Sequence, residues 1–258
     1  MIMRFNVRST VLRIAGVLMA TLALATRAEA QGDFGGSGNG FLFGAPVGSV
    51  SLRMGYSFAN AGSDLFSFVT RQMTLRKSDF NTIDLDGDLA FRLAPQMDLV
   101  FGAAVAGMTS NSEFRDWMDN SGNPIEQSTT FERAPITATL KMYLQPRGRS
   151  IGRYAWIPAT IAPYVGVGAG TMWYRFRQEG DFIDFATLNV FHDTFESSGF
   201  TPMAHLLAGF DYALGPRWAF TAETRYQFAK APMSQDFSGF NRIDLSGLTA
   251  TAGISLRF

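Results

Sequence analysis

Charged side chains recur on one side of several alternating segments, and these are the residues whose types and spacing could do chemistry. Asp84, Asp86 and Asp88 are separated by single residues, so their carboxylates would share one face of an extended strand. Charges of both signs occupy the equivalent polar side elsewhere in the chain. The complete set is Arg53, Asp84, Asp86, Asp88, Arg92, Lys141, Asp211, Glu223, Arg225 and Arg257.

Two histidines are the candidates for acid–base catalysis. His205 lies in the polar register of its segment, and Glu223 on the following segment could orient it as a general base. A His-x-Ser arrangement would need a serine two residues further on, but that position is Leu207. His192 stands beside Asp193 in a loop-like stretch, where such residues occur by chance. We therefore predict no enzyme activity and no catalytic residue.

The composition gives no sign of a cofactor or metal site. The chain has no cysteine, which excludes thiolate metal ligands and fits an exported protein without disulfides. The glycine-rich run at 166–170 lies within an alternating segment instead of opening a helix, so it is a weak phosphate-binding candidate. We expect no cofactor and no bound metal.

The first thirty residues have the pattern of a cleaved signal peptide. Basic residues precede an apolar run from Ile14 to Ala25, and small residues at 28–30 precede Gln31. The alternative is a membrane anchor, but this run is well short of the ~20 residues that a spanning helix needs. Cleavage would change 22 basic and 22 acidic residues to 18 and 21 by removing Arg4, Arg8, Arg13, Arg27 and Glu29. The mildly acidic remainder argues against nucleic acid as a partner.

Beyond the signal peptide we predict a glycine-rich lead-in at 31–49 and one all-β domain at 50–258. Short turns follow the second, fourth and sixth strands, whereas the connections near 60–77, 110–130, 177–200 and 229–242 are long. This asymmetry is typical of an antiparallel up-and-down barrel. Alternation predicts eight strands, at Val50–Phe58, Ile83–Leu93, 99–105, Phe131–Leu144, Ile161–Phe176, Ala204–Tyr212, Trp218–Phe228 and Leu248–Phe258.

The strand pattern favours a barrel that spans a membrane, since strands can cross lipid only as a closed sheet. About ten steps along the seventh strand, at ~3.4 Å each and tilted by ~40°, cover ~26 Å, close to the ~25 Å apolar band of an outer membrane. A soluble barrel or sandwich is the alternative, but polar faces rich in Gly, Ser and Thr suit a confined lumen. We assign the aromatic girdles of the membrane interface to Trp173, Trp218, Phe220, Tyr226 and Phe228.

The last strand carries the most specific pattern. Leu248, Ile254, Leu256 and Phe258 share one face, and Phe258 ends the sequence with an aromatic side chain. With the loop asymmetry, this pattern resembles the small eight-stranded bacterial outer-membrane β-barrel proteins, among them the OmpA transmembrane domain, OmpX and OmpW. The resemblance implies a place in the cell outer membrane, periplasmic termini, four long extracellular loops, contact with outer-membrane lipid, and recognition of these four residues by the barrel-assembly machinery.

The resemblance leaves the task of the barrel open. Eight strands enclose room only for side chains or one small ligand, so we expect the ten charged residues to pair and plug the lumen. We predict a structural or surface-interaction role, with an extracellular ligand of the long loops as an open alternative. A narrow channel for a small hydrophobic compound, as similarity to OmpW implies, is a second alternative; it would open when Asp86 and an opposing arginine rearrange.

Lipid A modification is a third alternative. Outer-membrane deacylases of lipid A are eight-stranded barrels with a His-x-Ser pair and an orienting Glu, a pattern from which this sequence departs after His205. His192, with Asp193, Ser197 and Ser198 nearby, resembles the loop-borne residues of lipid A palmitoyltransferases.

Overall fold

The computed structural model describes residues 41–119, 121–152, 155–184, 187 and 189–258, and in these residues eight long antiparallel strands form a closed ring. The strands follow one another in chain order, and the last pairs with the first. The predicted eight-stranded up-and-down barrel is confirmed, whereas the predicted signal peptide and residues 31–40 lie outside the described residues. The strands are β1 (Gly48–Ala59), β2 (Thr82–Ala94), β3 (Met97–Met118), β4 (Pro124–Tyr143), β5 (Ile161–Ile183), β6 (Val190–Ala213), β7 (Trp218–Ala231) and β8 (Gly247–Arg257).

The two ends of the ring differ. At the turn end, where β2 meets β3 and β6 meets β7, a small sheet joins Leu42–Phe43, Ala155–Pro158 and Gly148–Ile151. The N–H of Val47 donates to the carbonyl of Phe258 (2.7 Å), so the start of β1 and the end of β8 meet at this end. The opposite, loop end carries the long connections.

Alternate residues face opposite sides of the wall, which is apolar outside and polar inside. On β1, Leu52 and Met54 are 50% and 63% exposed, whereas Arg53 between them is 1% exposed. On β4, Leu140 is outside and Lys141 is buried. This arrangement contradicts the soluble alternative, in which the apolar faces would be buried in the interior.

The strands β3 to β6 are much longer than the other four and rise beyond them at the loop end. They contain 22, 20, 23 and 24 residues, against 11 to 14 in the rest. We call this part the extension; it comprises 107–118 of β3, 124–132 of β4, 174–183 of β5 and 190–199 of β6. Much of the extension lies in residues for which the sequence pattern predicted long loops, near 110–130 and 177–200, and which the structure shows as strand. The outward residues there are mostly polar, because this part rises above the apolar band.

A short helix, α1 (Asp64–Gln72), closes the loop end from inside. Its residues Leu65, Phe66 and Val69 are fully buried, and the Phe66 ring lies edge-on to Phe80 with centroids 4.8 Å apart. We call this cluster the apolar cap; its main members are Leu65, Phe66, Val69, Phe80, Phe131, Met172 and Phe176. No helix in the described ranges is long and apolar enough to cross a membrane.

Candidate functional site

Arg53 is the centre of a cluster of charges inside the barrel. The register of β1 against β2 places it opposite Asp86. Its guanidinium lies 2.6 Å from Asp86 and 2.5 Å from Asp88, and 3.7 Å from Glu223 on β7. Between β1 and β7, the β8 residue beside Arg53 is Gly253. A Cβ there would come within 2.6 Å of the Arg53 Cα, so glycine permits the close approach of β8 to β1 at this level.

A second arginine and a lysine complete this charge cluster. Arg225 lies 3.0 Å from Asp86 and 2.7 Å from Glu223. Lys141 lies 4.0 Å from Glu223 and 4.0 Å from the ring centroid of Tyr164, whose hydroxyl donates to Glu223 (3.2 Å). Three cations therefore face three carboxylates, an arrangement in which each buried charge has a partner of opposite sign.

The other predicted lumen residues lie apart from this cluster. Asp211 accepts a hydrogen bond from Tyr143 (2.9 Å), and the Arg257 guanidinium lies 6.0 Å from the ring centroid of Trp156. Arg92 reaches backbone carbonyls near the turn end at 3.4 Å. Asp84 is 2% exposed, and its Oδ1 has no hydrogen-bond partner among the described residues.

Several interior polar residues were not singled out from the sequence. Asp98 pairs with Arg147 at 2.7 Å, and Arg133 donates to the Ser57 hydroxyl at 2.9 Å and to a backbone carbonyl. Tyr164 was missed because a tyrosine in a glycine-rich strand has no charge to draw attention. Its inward register, shared with Gly166, was the available signal.

The interior does not assemble the catalytic pair considered for His205. Its Nε2 lies 2.9 Å from the Thr139 hydroxyl on β4, not beside Glu223. Gly168 on the intervening β5 makes this contact feasible, because a Cβ there would come within 2.5 Å of the imidazole. Glu223 is instead engaged by the two arginines. His205 is 1% exposed, so its imidazole is closed to a dissolved substrate.

His192 is likewise separated from the serines considered with it. Its Nδ1 lies 2.9 Å from Asp181 across the β5–β6 hairpin. Ser197 is buried and hydrogen-bonds to Tyr174, while Ser198 lies six residues along β6, or about 20 Å away at the usual rise. Asp193 faces the opposite side of its strand. Among the described residues, no group of three or more His, Asp or Glu is placed to hold a metal ion.

The residues assigned to the membrane surface lie on the outer wall. Trp218 and Phe228 are 51% and 49% exposed at the two ends of β7. Trp173 lies on β5 just below the charged pair of Arg175 and Glu132 (3.0 Å), where the outer surface changes from apolar to polar. Phe220 and Tyr226 share the outward register of β7. Of the four residues assigned to machinery recognition, Leu248, Ile254 and Leu256 occupy the outward register of β8, and Phe258 follows directly after its last residue.

No family model and no curated protein matches the sequence. Solved structures similar to the chain include Neisserial surface protein A, with 12% identity over 86% of this chain and 100% of that one, at a TM-score of 0.44. They also include Ail of Yersinia pestis (11%, 82% and 99%, TM-score 0.39). The N-terminal β-barrel domain of Pseudomonas aeruginosa OprF is similar at 12% identity over 83% and 98% of the two chains, with a TM-score of 0.35.

Proposed function

We propose that the chain is an integral protein of the bacterial outer membrane, with a charge-plugged lumen and a structural or surface-interaction role. The turn end, where β1 starts and β8 ends, faces the periplasm, and the loop end faces the outside of the cell. The proposal includes a signal peptide at 1–30, a lead-in at 31–49, the barrel at 50–258, and recognition of β8 by the barrel-assembly machinery. It includes no enzyme activity.

The observation that carries this proposal is the inverted polarity of the wall. Large apolar side chains are exposed around the ring, while charged ones on alternate positions are buried. Exposed Leu, Ile and Phe in such numbers would be costly in water, and lipid removes that cost. The closed ring also satisfies the requirement that every backbone group at membrane depth be hydrogen-bonded within the protein.

Two barriers in series support a lumen closed to ions. The charge cluster around Arg53 is buried inside the barrel, and the apolar cap lies above it at the loop end. Water would have to displace ion pairs at one level and buried aromatic rings at the other. A closed barrel with an elaborate outer extension fits a task performed at the surface rather than by passage through the wall.

The test uses the full chain refolded in detergent and then reconstituted. We expect a band that migrates differently in gels before and after boiling, because a closed barrel resists detergent until heated. We also expect no stepwise conductance in planar bilayers. Recovery of the protein as a soluble, monodisperse species without detergent would refute the membrane assignment. Stable conductance steps would refute the closed lumen.

The apolar cap favours one second candidate, a narrow path for a small hydrophobic compound. Phe66 and the aromatic rings around it form an apolar lining at the mouth. Displacement of α1 would expose this lining to an apolar molecule. Replacement of Phe66 by Ala, with Phe68→Ala on the less buried side of the same helix as the control, would then increase uptake of a hydrophobic dye by proteoliposomes. Equal uptake by the two variants would remove this candidate.

A further inference from the structure

The extension has two outer edges, and each is covered at one position. On β3, Thr74 donates its N–H to the carbonyl of Glu113 (2.9 Å), and its hydroxyl accepts the N–H of Glu113. On β6, the N–H of Glu196 donates to Asp236 (3.1 Å), while its carbonyl accepts from Ser234 (2.7 Å). Side chains and the backbone N–H of Thr74 thus satisfy edge groups that would otherwise recruit another strand.

The edge of β6 is open above Glu196. In an antiparallel pair, alternate residues direct both backbone groups away from the neighbouring strand, and Glu196 is such a residue. Thr194, His192 and Val190 follow in the same register. Each of these residues directs its N–H and C=O away from β5. Of these groups, only the N–H of Thr194 has a partner among the described residues, the side chain of Asp193 (2.7 Å). All five residues of 190–194 are exposed, so this stretch is an accessible template for an added strand.

The surface beside this edge is acidic. β5 pairs with β6 so that Asp181 lies opposite His192 and Glu179 opposite Thr194. Glu126 follows on β4, where it shares a face with Asp181, and Glu113 lies directly opposite Glu126 on β3. These four carboxylates line one groove of about 460 Å³. Glu179 has a cation beside it in Arg177, at 2.7 Å, and Asp181 lies 2.9 Å from the His192 imidazole, whereas facing Glu113 and Glu126 repel each other.

The other side of the same edge is aromatic. Phe191 is 40% exposed, and its ring centroid lies 6.0 Å from that of Phe182. Phe182 in turn packs edge-on against Phe195 at 4.6 Å. Asp193 lies between Phe191 and Phe195 on this face, and its Oδ1 accepts the N–H of Thr194. A strand added to β6 would therefore present one set of side chains to the carboxylates and the alternate set to the exposed Phe191 ring.

We propose that residues 190–194 of β6 bind an extended polypeptide segment in which cationic and apolar residues alternate. The segment adds as a fifth strand to the extension. Its backbone pairs with Val190 and His192 and donates to the carbonyl of Thr194, whose N–H is held by Asp193. Its cationic side chains lie on the acidic face, and its apolar side chains pack on Phe191. This binding mode combines main-chain hydrogen bonds with pockets for alternate side chains. It rests on the proposed function only for access from outside the cell.

The experiment measures binding of a fluorescent peptide of alternating lysine and valine, blocked at both ends, to the refolded full chain in detergent. We expect saturable binding that weakens as salt is raised. The same peptide N-methylated at every backbone nitrogen keeps its charge but has no N–H on either edge to pair as a strand, so it should not bind. A peptide of alternating glutamate and valine should not bind either.

Two variants separate the backbone contribution from the charge contribution. His192→Pro removes one N–H that faces away from β5, a position where an edge strand tolerates proline. His192→Ala is its matched control, because it loses the same contact with Asp181 but keeps the N–H. We expect the affinity of His192→Pro to fall about tenfold below that of His192→Ala, as for loss of one or more hydrogen bonds. Glu126→Gln combined with Asp181→Asn should lower affinity and reduce its salt dependence. Asp116→Asn, which removes an exposed acid of β3 that does not line this groove, should leave affinity unchanged.

Each contrary result overturns the proposal. Equal binding of the N-methylated peptide would show simple charge attraction, and unchanged affinity of His192→Pro would place the site elsewhere. A dimer in detergent that His192→Pro dissociates would identify a second copy of the chain as the occupant. Heat-modifiable migration is checked for every variant, so that loss of binding can be distinguished from failure of the barrel to fold. The peptide assay is done in detergent, so its outcome does not depend on whether the protein lies in the outer membrane.

Discussion

Replacement of Arg53 by Met tests whether the charge cluster stabilises the barrel through mutual neutralisation. The side chain of Arg53 is fully buried and contacts three carboxylates, those of Asp86, Asp88 and Glu223. Methionine has a similar length but no charge, so the substitution leaves those carboxylates short of one cation. Breaking a buried pair in this way costs about 3–5 kcal/mol, which corresponds to roughly two to nearly four orders of magnitude in the unfolding equilibrium.

The assay is reversible unfolding by urea in detergent or lipid, with the change in tryptophan fluorescence as the signal. Arg92→Met is the matched control, because Arg92 is half-buried and bonds only to backbone carbonyls at 3.4 Å. We expect it to lose less than about 1 kcal/mol, in the usual range for a neutral hydrogen bond. The reasoning would be refuted if the two variants lost the same free energy, or if Arg53→Met were as stable as the original chain.

Three further predictions follow from the wall, the interior and the loop end. Ala222→Arg, near the middle of the apolar band on β7, should cost about 2–4 kcal/mol in lipid, whereas Ser128→Arg on the extension should cost almost nothing; equal losses in the same urea titration would contradict the membrane position. Gly168→Val should destabilise by about 1–3 kcal/mol or more, because its Cβ would come within 2.6 Å of a backbone oxygen of β4; an unchanged midpoint would be inconsistent with this packing. Hydrogen bonds from Asn241 lower the pKa of Asp64 below its usual 3.8, so this link should stabilise α1 above that pH and fade as the pH falls through the lower folded value. Equal amide protection factors in α1 at pH 6 and pH 2, each taken relative to the intrinsic exchange rate at that pH, would argue against it.

The barrel could be predicted because its strands carry period-two patterns over nearly their whole length. Leu52 outside and Arg53 inside are a direct reading of that alternation. The partners of Arg53 were harder to predict, because alternation places a residue on a face but not at a height. The register of Glu223 predicts a place in the lumen. Its distance from Arg53 depends on how far β7 and β1 are shifted along β8, which lies between them, and alternation does not give that shift.

The helix α1 and the extension could not be predicted in the same way. A nine-residue segment is too short to be a stable helix by itself, so α1 depends on the apolar cap that buries Phe66. In the extension, the outward residues change from apolar to polar above Trp173, and the contrast between the two faces disappears. A stretch that is polar on its outer face resembles a loop until its pairing partners are known, as His192 opposite Asp181 illustrates.

The seam between β1 and β8 joins segments about as far apart in the sequence as this chain allows, as the contact of Ser51 with Ser255 across 204 residues illustrates. Six intervening strands must be in order before this contact can form, which makes it an intrinsically slow event. Until it forms, the sheet has two bare borders, each able to capture a neighbouring molecule. Pairing of β1 with β8 therefore comes late during biogenesis. The intermediate in which these two strands are still unpaired is the species that most needs a chaperone.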